Sequence, residues 1–428
     1  MRSTRHGPVL SDAQASHQKL LDTQRYVLAL RWSALDADNR TLLAGIRSNR
    51  AQSVSELLAA YEDFHAPIQN VVMADTSGRT AFKAAGRVPL RRAGNDTMGV
   101  APAPGWDARY DWAGWLPYAN TPQLDAAAIA AAGALATANQ RIHASDYPHF
   151  ITQDWELPYR YDRIAALLSR PQKLDLDAQQ AIQADVVSES ARGLLPHLVN
   201  APVTHPLGQA AQKLLAGFDG ELRADSAAAL VFAVWTDEFT RGVIGERLGQ
   251  DRLKGVYGKR VFRAAIEGIL ARNDRAWCGA AGCAPASAQA LDRALSRIEA
   301  EQGSDLSRWQ WGKAHPAISA HRPFSNVAAL ARFFEVRVPT GGDRFTVNMG
   351  HFHADQVKEP FANRHGPSMR ALYDLSNMEN SRFIYQTGQS GLVFSSRYRD
   401  MSEEWAAVRY RPLQMDPPAY VHQLVLTL

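Results

Sequence analysis

The stretch LATANQRIHASDYPHFITQDWELPYRYDRI, Leu135 to Ile164, decides how this chain is read. It holds Asn139, Gln140, Arg141, Asp146, Tyr147, His149, Asp154, Trp155, Tyr159, Arg160, Asp162 and Arg163. An ordinary surface loop would carry more Gly, Ser and Lys and fewer aromatics. The small and β-branched residues of Ala136-Thr137-Ala138 suit a strand end, and Asn139 stands where that strand should break into a loop. A neutral amide there can donate N–H groups to a substrate oxygen without adding charge, as an oxyanion hole requires. Arg160 precedes Ile164, Leu167 and Leu168, whose spacing predicts a helix start. The plainer alternative is that Asn139 merely ends a strand and Arg160 pairs with a nearby acid.

Working outward, the Arg87 to Pro122 segment is loop-rich, with five prolines at 89, 102, 104, 117 and 122. Trp106, Trp112 and Trp115 are expected to clamp it to the body, with substrate contact as the sharper reading. Before it, Ile68–Met73 and Thr80–Ala85 read as a hairpin about the turn Thr76-Ser77-Gly78-Arg79. Ser53 to Phe64 reads as a helix, with Ser53 and Glu56 in capping-box positions. Residues 24–46 predict a strand and then a short helix, and residues 1–10 a basic strand.

Beyond the opening stretch the pattern turns helical. Helices are expected over 175–198, 206–217, 226–248, 256–271 and 285–302, a packing layer in which no chemistry stands out. Strands return at Phe333–Val338 and Phe345–Met349, flanking Pro339 to Asp343, and at Ala371–Leu375, Arg382–Gln386 and His422–Leu426. Ser402–Ala407 predicts a short helix. A large antiparallel sheet near the C-terminal end, with helices outside, makes an α+β layered architecture.

Several short blocks, taken in order, resemble the penicillin acylase family of N-terminal-nucleophile amidases. They are Thr4-Arg5-His6-Gly7-Pro8-Val9, then Pro67-Ile68-Gln69-Asn70 with Ala74-Asp75, then Gly105-Trp106 with Trp112 to Pro117. The Asn139–Arg160 stretch follows, then Gly341-Gly342-Asp343, Pro367-Ser368-Met369-Arg370 and Gly388-Gln389-Ser390-Gly391. Each block is short; the ordered set spans nearly the whole chain. The resemblance implies a partial Ntn-hydrolase αββα sandwich with antiparallel sheets and a large helical middle layer. It implies cleavage of an N-acyl amide through an acyl-enzyme. By the same resemblance Asn139 supplies half of the oxyanion hole, and Arg160 supports the nucleophile's amine and that asparagine.

The family's nucleophile is an N-terminal Ser that follows a Gly and precedes an Asn. The three Ser-Asn pairs, at Ser48, Ser325 and Ser376, have no preceding Gly. By resemblance, residues 1–428 form an incomplete β-subunit without the α-chain and the nucleophile segment, inactive alone. The alternative is a non-catalytic truncated homologue serving as a binding or structural protein, or a gene remnant. The substrate is an N-acylated small molecule, a β-lactam or an acyl-homoserine lactone. The resemblance requires no cofactor and leaves a structural calcium open, Asp146 and Asp154 being out of register with the relatives' acidic ligand. It also implies a periplasmic location.

The 428 residues, with 46% hydrophobic and 21% charged, suit a globular protein with a sizeable core. A net charge of +4 with scattered arginines argues against nucleic acid, and no apolar run is long enough for a membrane span. MRSTRHGPV lacks the apolar region of a signal peptide. Cys278 and Cys283 are either a short disulfide or two thiols. His351 and His353 could form a metal pair, though no third ligand is evident. Ser390, in Gly-Gln-Ser-Gly, does not satisfy the nucleophile-elbow pattern.

Overall fold

The computed structural model describes all residues except 1, 15, 20, 170–172, 201, 355, 357, 415–423 and 426–428. It divides into two compact units, Met1–Trp155 and Glu156–Leu428.

The N-terminal unit is built on the expected hairpin. Gln69–Ala74 pairs antiparallel with Thr80–Ala85, and Gln123–Leu124 adds to the far side of the second strand. At the tip the Asp75 carboxylate accepts from the Ser77 hydroxyl and the Ser77 and Arg79 N–H groups, while Gly78 takes φ +83°. Asp75 also accepts from the N–H of Val54. One acid therefore ties the hairpin tip to the start of the helix Val54–Tyr61. Ser53 caps that helix by accepting from Glu56 N–H. The Glu56 carboxylate reaches back to Gln52 N–H, one residue beyond the standard box. The helix lays Val54, Leu57, Leu58 and Tyr61 over Met73 and Ala81 of the hairpin.

Three expectations in this unit change. The strand within 24–46 is an extended run with a single bridge, Ala29 to Val9, before the expected helix at Thr41–Ser48. Tyr26, Val27 and Trp32 remain exposed, so a longer ladder would have had no second face to bury. In place of the strand expected over 1–10 there is a minimal hairpin, Ser3–Thr4 with Gly7–Pro8. The loop-rich segment contains a ladder, Pro89–Arg91 with Trp112–Trp115, that its prolines conceal in sequence. Trp112 and Trp115 meet edge-on, with Arg31 and Arg87 over their faces. Trp106 stacks on Tyr26 but stays largely exposed.

The C-terminal unit is organised around the helix Ala227–Thr240, buried on nearly every side. It packs along Cys283–Gln302, with Phe232, Trp235, Phe239, Leu291, Leu295 and Trp311 in one continuous core. Thr236 and Thr240 are tolerated there because their hydroxyls donate back to the carbonyls of Phe232 and Thr236. Ser226 caps the helix, and a π-helical turn at Arg241–Gly245 follows it.

The expected helix 175–198 is two helices, Leu176–Ala184 and Glu189–Val199. They separate because Val187 bridges to Glu221 and Ser188 starts a new cap. The helix expected over 256–271 starts only at Phe262, since residues 256 and 257 end a separate helix, Gln250–Tyr257. Of the two readings for the cysteines, the disulfide is the one formed, joining Cys278 to Cys283 at the foot of the long helix.

In place of one large C-terminal sheet, two small antiparallel sheets are found among the described residues. One joins Met369–Leu372, Arg382–Tyr385 and Arg411–Pro412; the other joins Pro316–Ser319 and Val336–Pro339. Phe333 lies in the last turn of a helix, Ala328–Phe334, so the strand begins only at Val336. Phe345–Met349 forms no strand: the Asp343 carboxylate accepts from Phe345 N–H and the Asp185 carbonyl from Asn348 N–H, which takes up donors that a ladder would use. The strand expected at His422–Leu426 lies outside the described residues, save 424 and 425, which are in no strand. The helix near 402 is present at Ser402–Ala406. Helices with small antiparallel sheets make the fold α+β, as expected. No helix among the described residues is long and apolar enough to cross a membrane.

Candidate functional site

Asn139 is reached from a helix, not from a strand. Ala126–Ala132 is capped by Asp125 and ended by Gly133 at φ +75°. The segment 134–140 then runs without a β partner. It is fixed instead by side chains. Asn70, on the first hairpin strand, donates to the Thr137 hydroxyl at 2.9 Å, and the Gln140 carbonyl accepts from Ala138 N–H at 2.7 Å. Between these anchors Asn139 is exposed and left-handed, with φ +67°. Asn adopts that region more readily than other residues with a Cβ, though still at some cost.

The rest of the loop is an aromatic series. His143 contacts both Tyr147 and Trp155, and Tyr147 contacts His149 edge-on. The Tyr147 hydroxyl donates to the Asn120 carbonyl at 2.7 Å. Two further blocks that are distant in sequence meet in this unit. Arg5 donates to the Asp111 carboxylate and the Gly105 carbonyl, and a His6 ring nitrogen reaches the same carbonyl.

In the C-terminal unit Arg160 lies in the first turn of the helix Tyr159–Leu168, as its spacing predicts. Burial pulls its pKa below the usual arginine range; Glu156 opposes this, while Arg344 and Arg260 add to it. Glu156 receives Arg344 at 2.9 Å and Arg260 at 3.3 Å. Beside Arg160, the Tyr159 hydroxyl donates to Glu267, which also accepts from Ser190. Burial, and then that carboxylate, raise the phenol's pKa.

The remaining blocks do structural work. Gly341 has no room for a side chain, since a Cβ would sit 2.6 Å from the Leu222 carbonyl. Gly342 donates to that carbonyl and accepts from the Trp311 indole. Asp343 is buried, which pushes its pKa up, and takes Phe345 N–H at 2.7 Å. Arg370 is buried against Trp405 and donates to its carbonyl and to Asn348; burial lowers its pKa to about 10. Gln386, just before Gly-Gln-Ser-Gly, donates its N–H to the Ser368 carbonyl.

His351 and His353 lie 4.7 Å apart between ring centroids. Among the described residues no three His, Cys, Asp or Glu side chains gather to hold a metal. Neither that pair nor Asp146 and Asp154 thus acquires a ligand set that fits a metal or calcium.

Sequence reading missed a cleft in the helical layer of the C-terminal unit. It encloses about 840 Å³ of empty space, part of it open solvent, under the buried Asp237. Asp237 binds Arg241 at 3.0 Å, Arg297 at 2.8 Å and the Tyr257 hydroxyl at 2.5 Å. An acid within an otherwise apolar helix, with an arginine four residues on, was the available signal.

The penicillin amidase family profile matches residues 1–421. Acyl-homoserine lactone acylase QuiP of Pseudomonas fluorescens is 29% identical over 97% of this chain and 51% of that protein. Penicillin acylase 2 proenzyme of a Pseudomonas species is 28% identical over 96% of this chain and 51% of its own length. The chain thus spans about half the length of the curated relatives it matches. A thermostable penicillin G acylase from Alcaligenes faecalis superposes with a TM-score of 0.69 at 18% identity, over 100% of this chain and 78% of that one. That likeness shows the fold, and the profile match shows the family: this chain belongs to the penicillin amidase family.

Proposed function

We propose that this chain supplies the oxyanion asparagine and its supporting arginine to an amidohydrolase that cleaves N-acyl amides, with acyl-homoserine lactones as the favoured substrates. One observation carries the reading: Asn139 is held left-handed and exposed between two side-chain anchors. Non-glycine residues in that conformation, held by their surroundings, concentrate at functional sites. The acyl-homoserine lactone acylases among its relatives support the choice of substrate.

A serine with a free α-amino group attacks the acyl carbon, and the amine takes the hydroxyl proton. The Asn139 amide donates to the oxyanion as the C–O bond forms. Collapse breaks the C–N bond, the amine leaves with that proton, and water then hydrolyses the ester. Arg160 is assigned to the serine's amine. Ser48, Ser325 and Ser376 do not suit the nucleophile's role. Ser48 donates to Gly45 and Ser376 to Asp374, while Ser325 accepts from His321 N–H. The serine is assigned to a segment outside the present sequence, and the 428 residues alone are expected to be inactive.

The test is release of homoserine lactone by the product of the whole gene and by the present chain. The whole product should turn over; Asn139→Ala should lower kcat by about 10²–10³ with folding unchanged. Near-normal turnover in that variant sinks the assignment. The runner-up, a non-catalytic homologue used for binding, is favoured by the missing Gly-Ser-Asn block. A native protein of 47.1 kDa with no in-frame Gly-Ser-Asn upstream of its gene supports it. Recovery in the periplasmic fraction is expected on the first reading.

A further inference from the structure

The segment 341–348 is held more closely than a simple connection requires. A Cβ on Gly341 would lie 2.6 Å from the Leu222 carbonyl, and one on Gly342, at φ +79°, would meet the Asn348 carbonyl. The Thr346 hydroxyl accepts from Asp343 N–H at 3.0 Å, and the Asp343 carbonyl accepts from Gly350 N–H at 3.0 Å. Backbone fixed in this way is a mount for the side chains it carries.

Those side chains reach the start of the helix Tyr159–Leu168. Arg344 forks onto the Glu156 carboxylate, Nη2 to Oε1 at 2.9 Å and Nε to Oε2 at 3.3 Å. The two side chains are only 15% and 13% exposed, so the pair constrains both partners as a surface ion pair would not. Phe345 meets Tyr159 edge-on, with ring centres 5.6 Å apart. Asn348 N–H donates to the Asp185 carbonyl, and the Asp185 carboxylate holds Arg163 at 2.6 Å. The segment therefore supports residues 156, 159 and, through Asp185, 163. Arg160 stands among these three, and the charge of Glu156 acts on it.

We propose that the segment 341–348 positions Arg160, with Glu156 and Arg344 as positioning residues for the amide-cleaving site. The inference rests on the role assigned to Arg160 above.

Two measurements test it, one of them independent of turnover. In the 428-residue chain, the rate at which phenylglyoxal modifies Arg160, localised by mass spectrometry, reads how firmly the guanidinium is held. Arg163, in the same helix, is the control. Glu156→Gln and Arg344→Met should each raise the Arg160 rate at least about threefold, within what the loss of one charged hydrogen bond allows, and leave Arg163 unchanged. Arg344→Lys, which keeps the charge without the fork, should fall between. In the product of the whole gene, Glu156→Gln should lower kcat for homoserine lactone release at least about tenfold with KM little changed, and should add little further loss in an Arg160→Lys background. An Arg160 rate that is unchanged in both variants, or that rises together with that of Arg163, overturns the proposal. So does normal turnover in Glu156→Gln, or a kcat loss that is undiminished in Arg160→Lys. A whole product that releases no homoserine lactone overturns the amidase reading, and the modification rates then decide the positioning by themselves. Should one variant fail to fold, the other is read alone.

Discussion

The two units handle apolar surface differently. In the C-terminal unit the helix Ala227–Thr240 is enclosed, and Trp235 and Phe239 are fully buried. In the N-terminal unit the second hairpin strand is buried on both faces from Ala81 to Ala85, but Val72 on the first strand is 52% exposed and Leu42 on a neighbouring helix is 82% exposed. The comparison teaches that amphipathic patterning specifies an element without guaranteeing that both its faces are covered. A helix apolar all round must lie inside, whereas the first strand of an antiparallel hairpin can leave part of one face to solvent.

If that contrast is energetic, mutations should grade with it. Trp235→Ala should cost about 3–5 kcal/mol, read as a large fall in the Tm of the C-terminal unit. A loss below about 1 kcal/mol would show that the enclosed helix is not the keystone of its core. Met73→Ala, beneath the helix Val54–Tyr61, should cost about 2 kcal/mol, at the low end for buried methionines.

Acid should separate the units further. Burial lowers the pKa of His315 to about 4 and, with Arg344 contributing, that of His351 to about 3. Both folded values lie below the unfolded one near 6.5, so the unfolded chain binds more protons in between. Their stabilising contribution is complete above about pH 6.5 and is lost as pH falls toward those folded values. The Tm of the C-terminal unit should therefore decline from pH 7 to 4.5, and His351→Asn should flatten the decline. An unchanged slope would remove His351 from the account. In the N-terminal unit Asp75, held at about 2 chiefly by the Ser77 hydroxyl and by Val54 N–H, acts later. Its contribution persists above its unfolded value of about 3.9 and is lost as pH falls toward 2.

The smaller effects sharpen the picture at its edges. Ser53→Ala should cost about 1 kcal/mol through the lost helix cap. Leu42→Ser should change stability by less than about 0.5 kcal/mol, because the leucine buries little within its own unit. A clear loss there, measured by chemical denaturation, would mean that its exposed face is covered in solution.

Much of this was legible in the residues. The turn around Gly78, the Ser53 cap and the helix start at Tyr159–Arg160 follow local rules that act over a few positions. The ordered blocks pointed to the family, and the α+β class followed from the change of period along the chain. Errors arose where distant partners decide the outcome. Phe345–Met349 alternates like a strand, but the Asp343 carboxylate takes the Phe345 N–H and the Asp185 carbonyl that of Asn348. The segment before Asn139 looks like a strand end, but no neighbouring strand reaches it, and a hydrogen bond from Asn70 holds it.

By itself the sequence determined the periodic elements, their caps and turns, and the residues Asn139 and Arg160 as candidates. Those depend on steric preference and hydrogen bonds between near neighbours. Only the tertiary structure decided that Asn139 is left-handed between two anchors and that Asp237 is neutralised by two arginines. Each depends on groups brought together from far along the chain. The cost of a buried polar atom is set by such neighbours, which local sequence does not encode.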